Sequence, residues 1–219
     1  MIDRENSAGR FVTFEGGEGS GKSTATAALV DALSSTGLSV MATREPGGAP
    51  GVEQIRNLLV SGEVDRWDPM AEALLHFAAR REHLEQTIRP ALMAGTWVVS
   101  DRFYDSTMAY QGYGQGLGPM AVRNLQFVAL GDFAPDLTLV LDIAPDDGLG
   151  RESNSEAGDE TRYGRMGLEF HTRVRDGFLA IAGAEPDRCV VIDASRSLAE
   201  VQAAVFATVS DRLGVPGLG

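Results

Sequence analysis

Short runs of apolar and β-branched residues alternate along the chain with longer stretches whose apolar positions recur at helical spacing. The runs are FVTFE (11–15), SVMATR (39–44), WVVSD (97–101), LTLVLD (137–142) and CVVID (189–193). Most are apolar at successive positions, as parallel strands covered on both faces are. Helical spacing fills the stretches near 22–36, 52–61, 69–94, 119–131, 166–184 and 197–213. This alternation predicts an α/β three-layer sandwich, a doubly wound sheet of five parallel strands with helices on both faces. Ligands of such folds bind at the carboxyl ends of the strands. The runs end in charged residues, among them Glu15, Arg44, Asp101 and Asp142, so chemistry is expected there.

The chain has 219 residues, which suits one domain. It is expected over 10–214, after a flexible segment at 1–9. One patch breaks the pattern, RESNSEAGDETRYG at 151–164. Its polarity predicts a mobile lid over approximately 148–166 that orders with ligand. A net charge of −12 argues against a nucleic acid partner. No stretch approaches the ~20 apolar residues of a membrane helix, so no membrane partner is expected. The first nine residues do not read as a signal peptide, and the expected location is cytoplasmic. The single cysteine, Cys189, lies in an apolar run and reads as a small buried hydrophobe.

The strongest local signal is Gly16-Gly17-Glu18-Gly19-Ser20-Gly21-Lys22-Ser23, followed by Thr24. It fits G-x-x-x-x-G-K-[ST] between a strand and a helix, which identifies a P-loop NTPase sandwich. Glycines let backbone N–H groups curl around phosphate oxygens, and the helix N-terminus adds partial positive charge. Lys22 would bridge the β and γ phosphates of ATP, and the Ser23 hydroxyl would hold Mg²⁺. Of nineteen basic residues, eighteen are arginine, and Lys22 is the one lysine. A GTPase would carry an Asn-Lys-x-Asp motif, for which no lysine remains. Asp101-Arg102 follows the strand WVVS, where the carboxylate can hold a metal-bound water and the guanidinium can grip a phosphate. Asp142 competes for the metal but has no arginine after it. Thr43-Arg44-Glu45-Pro46-Gly47-Gly48 makes a tight turn after another strand. Its Arg44, with Arg56 on the next helix, points toward the same crevice.

These motifs together resemble the bacterial thymidylate kinases. The resemblance rests on FEGGEGSGKST (14–24), TREPGG (43–48), AEALLHFAARREHL (71–84), SDRFYDSTMAYQG (100–112) and PDLTLVLD (135–142), in order over about two thirds of the chain. It implies transfer of the γ-phosphoryl of ATP to dTMP, giving dTDP and ADP, by a Mg²⁺-dependent homodimer. It places the acceptor phosphate on Arg44, Arg56 and Arg102, beside Pro46, with Glu18 at the metal and sugar end. Arg80 would hydrogen-bond the base. The stacking residue four positions earlier is His76, with Phe77, paired with Arg81, as the alternative. Ser106, Thr107 and Gln111 would line the thymine, and Tyr110 would crowd a ribose 2′-hydroxyl. Lid arginines Arg151, Arg162 and Arg165 would neutralise transferring charge, and 194–196, ending in Arg196, would lie near adenine. Two rivals remain open from the residues alone, a kinase for another nucleotide or a deoxynucleoside and a P-loop switch.

Overall fold

The computed structural model describes residues 9–153 and 162–218. The expected terminal segment, apart from Gly9, and the 154–161 part of the expected lid lie outside the described residues. Five strands, β1 (Phe11–Glu15), β2 (Val40–Arg44), β3 (Trp97–Asp101), β4 (Leu137–Asp142) and β5 (Cys189–Asp193), form one parallel sheet in the order β2-β3-β1-β4-β5. Alternate residues along the strands enter cores on opposite faces of the sheet. Phe11, Val98 and Val140 enter one core with Phe103, Val174 and Phe178. Val12, Phe14, Val99 and Leu139 enter the other with Leu29 and Val205. Two cores explain why the strand sequences are apolar at successive positions.

The helices are α1 (Lys22–Ser35), α2 (Val52–Val60), α3 (Pro69–His83), α4 (Arg89–Met93), α5 (Tyr104–Thr107), α6 (Pro119–Leu130), α7 (Pro145–Ser153), α8 (Leu168–Ala184) and α9 (Leu198–Leu213). The single helix expected over 69–94 is interrupted by a π-helical turn, Leu84–Ile88. Pro90, near the start of α4, lacks the N–H that would continue the α-helical ladder. A second π-helical segment, Met108–Gly114, extends α5. α7 occupies the beginning of the polar patch read as a lid. Pro145 at its start and Asp146 and Asp147 in its first turn favour a helix N-terminus, which outweighs the polar composition.

β1 lies between β3 and β4, and the chain passes from β1 to β2 on one side and from β3 to β4 on the other. That switch point opens a crevice at the carboxyl ends of β1 and β3. The P-loop leaves β1 there, and Asp101-Arg102 leaves β3.

Candidate active site

The P-loop closes on itself. The Lys22 ammonium donates to the Gly17 carbonyl at 2.7 Å and to Ser20 Oγ at 3.2 Å, while Ser20 Oγ donates to the same carbonyl at 2.9 Å. Gly21 caps α1 at φ 86°, and the first turn of α1 holds no acidic residue to cancel its dipole. Gly19, at φ 64°, has a second reason to be glycine: a Cβ there would stand 1.9 Å from the Gly148 carbonyl oxygen of α7. α7 therefore rests directly on the loop. Burial, and then the Arg102 charge, lower the Lys22 pKa to about 8.

Across the crevice, Ser23 Oγ donates to Asp101 Oδ2 at 2.6 Å. A hydroxyl and a carboxylate side by side suit a hard, oxygen-seeking cation such as Mg²⁺. Among the described residues no group of three His, Cys, Asp or Glu could hold an ion by itself. Mg²⁺ fits this arrangement because it keeps waters and substrate phosphate oxygens as its other ligands. Asp142 is engaged otherwise, in a two-pronged pair with Arg175 at 2.7 and 2.8 Å.

Arg102 is at the centre. Its guanidinium donates to Gly16 O (3.0 Å), Ser106 Oγ (3.0 Å), Glu18 Oε2 (3.2 Å) and Tyr110 Oη (3.2 Å). Tyr110 in turn donates to Glu18 Oε1 at 2.9 Å. Burial opposes the charge of Glu18, but Arg102 and Lys22 outweigh it and hold its carboxyl below the usual range. Beneath lies Glu15, fully buried, accepting from the Phe103 N–H at 2.7 Å and Ser106 Oγ at 2.5 Å. Burial, and then the nearby Asp105 charge, push Glu15 up to about 8. A folded-state pKa above the unfolded value of 4.5 gives stability that is full below 4.5 and lost as pH rises through 8. We expect Glu15→Gln to flatten this dependence. Relative to the variant, wild-type stability should fall between those limits with a slope approaching ~1.4 kcal/mol per pH unit, the one-proton limit, in denaturant titrations at several pH values.

The turn after β2 is fixed from α3. Glu45, buried behind a cis Glu45–Pro46 bond, accepts from Arg80 Nε at 2.6 Å and lies 2.9 Å from His83 Nδ1, while His83 Nε2 meets Thr43 Oγ1 at 2.7 Å. Gly48 (φ 83°) admits this packing, since a Cβ there would lie 2.4 Å from His83 Nε2. Arg44, half-exposed, approaches Glu53 at 3.6 Å, and Arg56 donates to the Pro46 carbonyl at 2.8 Å. Arg56 is depressed by burial and then by Arg44, with Arg102 adding to the repulsion.

At the far end of the crevice the expected base readers separate. Phe77 packs in the core with Phe11 and Leu84 under the Arg80 guanidinium, so the structure does not bring it to the crevice. Arg81, its proposed pairing residue, donates outward to the Ala129 carbonyl. His76, on the adjacent face of α3, has Nε2 2.9 Å from Tyr163 Oη. Arg80 is buried and donates to Glu45, to Thr107 Oγ1 at 3.0 Å and to the Phe103 carbonyl at 3.1 Å. Gln111 is buried against Glu72 at 2.6 Å.

The expected lid arginines also part company. Arg151 donates to the carbonyls of Ala194 (2.9 Å) and Ser195 (3.4 Å), just ahead of Arg196, which pairs with Asp193 at 3.1 Å. Arg165 donates to the Gly62 carbonyl. Arg162 departs from the sequence expectation of a catalytic lid cation. It is fully buried, bound to Glu72, the Leu59 carbonyl (3.1 Å) and the Val64 carbonyl (2.8 Å). The reason is electrostatic: the buried Glu72 carboxylate requires a cation, and Arg162 supplies it. Arg162→Ala should therefore strand a buried charge, at a cost of ~3–5 kcal/mol. A melting temperature lower by roughly 10 °C is the expected readout for a chain of this size. An unchanged melting curve with collapsed turnover would return Arg162 to the phosphates.

Glu45, Glu72 and Tyr163 were not singled out from the sequence, whereas Glu15 was, as a charged strand end. Glu45 at least follows the same rule that strand ends face the crevice. Glu72 carries no local signal, since an acidic residue in the first turn of a helix reads as a dipole partner.

Comparison with known proteins identifies the family. A family described as thymidylate kinase matches residues 14–205. The thymidylate kinase of Caulobacter vibrioides is 51% identical over 208 residues, covering 94% of this chain and 99% of that one. That of Magnetococcus marinus is 49% identical over 207 residues, with 94% and 98% covered. Among solved structures, thymidylate kinase from Ehrlichia chaffeensis superposes with a TM-score of 0.74 at 37% identity, covering 93% of this chain and 99% of that one.

Proposed function

The chain belongs to the thymidylate kinase family and is a nucleoside monophosphate kinase, and from that premise we propose how its crevice passes the γ-phosphoryl group of ATP to dTMP. The ATP phosphates lie in the cradle of Gly16 to Thr24, on Lys22 and the α1 N-terminus. The dTMP phosphate lies on Arg44, Arg56 and Arg102. Ser23 and Asp101 hold Mg²⁺, which neutralises charge on the ATP phosphates. The acceptor needs no general base, because a phosphate monoester with a second pKa of about 6 is mostly dianionic at pH 7. The protein then has to align two anions and offset their repulsion. Pro46 holds Arg56 in place through its carbonyl. Arg151 is the lid cation in this reading, since it is exposed on the helix that rests on the P-loop. Arg196 marks the adenine end.

One observation supports the reading above others: Lys22, Arg102, Arg56 and Arg44 form a continuous row of mutually repelling cations from loop to turn. A row of that kind is stabilised when anions occupy it. His76 is the proposed stacking residue, while Arg80, Ser106, Thr107 and Gln111 surround the base and Tyr110 guards the sugar. Homodimer formation is proposed through α6, where Met120, Phe127 and Val128 are exposed. Among the described residues no helix is long and apolar enough to cross a membrane, and a cytoplasmic location is part of the proposal.

The test is ADP release with ATP, Mg²⁺ and a panel of nucleoside monophosphates. dTMP should give the highest kcat/KM, and chelation of Mg²⁺ should stop turnover. Equal ADP release without any monophosphate would favour a switch, and preference for thymidine would favour a nucleoside kinase.

A further inference from the structure

Glu72 stands in the first turn of α3, fully buried, and gathers four donors. Its Oε1 accepts from Gln111 Nε2 (2.6 Å), Gln115 Nε2 (2.9 Å) and Tyr163 Oη (2.8 Å), and its Oε2 from Arg162. A carboxylate paired with a guanidinium accepts only, so each glutamine must turn its NH₂ toward it. Both amide carbonyl oxygens are consequently directed elsewhere. Gln111 Oε1 and Gln115 Oε1 are buried and have no hydrogen-bond partner among the described residues. Gln111 is 1% exposed, so water does not freely satisfy that oxygen. An orphaned buried acceptor is costly unless a ligand brings a donor.

The same carboxylate sets the state of His76. Tyr163 gives its one proton to Glu72, so the hydrogen in the 2.9 Å contact between Tyr163 Oη and His76 Nε2 belongs to the imidazole. Burial, and then Arg80 and Arg162, keep His76 neutral. One buried charge therefore orients two residues of the proposed base pocket.

We propose that Glu72 is a positioning residue for pyrimidine selection: by binding the Gln111 side-chain N–H it holds the Gln111 carbonyl oxygen as an acceptor for the imide N3–H of thymine. This rests on the dTMP reading above and deepens it. Cytosine offers an acceptor at N3 and would leave two acceptors facing each other, so it is rejected. A site built to bond a substrate N–H discriminates strongly against an analogue that lacks it.

The experiment measures kcat/KM for dTMP and dCMP at saturating ATP in the full-length protein. Wild type decides the underlying reading: no turnover of dTMP would overturn both that reading and this proposal. With dTMP accepted, Glu72→Gln should lower the dTMP-to-dCMP ratio by about tenfold or more, because Gln111 can then turn its amide, while the KM for ATP stays within about twofold. A parallel loss for both substrates at constant ratio is what a purely structural role gives, and it would sink the proposal. Glu72→Asp keeps the charge for Arg162 but shortens the reach to Gln111, and it should shift the ratio in the same direction even if Glu72→Gln does not fold. In a Gln111→Ala background the Glu72→Asp change should no longer alter the ratio, and an undiminished effect there would show that Glu72 does not act through Gln111.

Discussion

Lys22→Ala should lower kcat/KM for phosphoryl transfer by at least about a thousandfold while the protein still folds. The ammonium is the one side-chain cation inside the P-loop cradle, and a preorganised charge aimed at a transferring phosphoryl group is worth a few kcal/mol in the transition state. Its internal bonds, to Gly17 O and Ser20 Oγ, join groups of the loop itself, which line the crevice and can turn to water when the ammonium is gone. Circular dichroism and melting should therefore change little. Two further readouts follow from a pKa near 8. Raising pH removes the proton, so kcat/KM for ATP, which reports the free enzyme, should fall as pH passes through about 8. Lys22 is also the only lysine in the chain, so an amine-selective reagent near pH 8 should inactivate the protein at that residue, and ATP should protect it. Full activity in Lys22→Ala would refute the loop assignment.

The strands and the P-loop were legible in the sequence because each is specified locally. Burial on both faces forces apolar residues at successive positions, and the observed β2, Val40–Arg44, begins one residue after the run expected from 39. A phosphate cradle needs contiguous glycines, and they can be seen in a row. Arg162 misled because its sequence neighbours are polar, whereas its burial is decided by Glu72, 90 positions earlier. The Gln111 to Glu72 bond spans 39 positions, and no periodicity reports a partner at that distance. Phe77 and His76 show the intermediate case. Helical register places them on adjacent faces of α3, but which face meets the core is settled by tertiary packing, which puts Phe77 in the cluster that also holds Phe11 and Leu84. α7 is masked by the polar composition of its segment, although the proline and acidic residues at its start favour a helix N-terminus.

Arg102 carries the second large effect, and its backbone makes it separable from stability. It is the only non-glycine residue at positive φ among the described residues, at 72°, a conformation that costs an L-residue roughly 1 kcal/mol or more. The strain is offset locally: its N–H donates to the Phe14 carbonyl at 2.9 Å, and its own carbonyl accepts from Ser100 Oγ at 2.7 Å. Burial works against the guanidinium charge, but Tyr110, Glu18, Asp101 and Glu15 more than offset it, so the cation is held firmly. Its charge acts on both Lys22, on the donor side, and Arg56, on the proposed acceptor side. Arg102→Ala should raise the KM for dTMP and lower kcat, for a combined loss of about a hundred- to a thousandfold. Arg102→Gly should lose the same activity yet be more stable than Arg102→Ala by ~0.5–1 kcal/mol, because glycine accepts positive φ without strain. Arg102→Lys should not restore turnover, since an ammonium cannot reproduce a fork that reaches Gly16, Glu18, Ser106 and Tyr110 together. Equal stability of the glycine and alanine variants would mean that the backbone strain is relieved in solution, and an unchanged KM for dTMP in both would remove Arg102 from the acceptor phosphate.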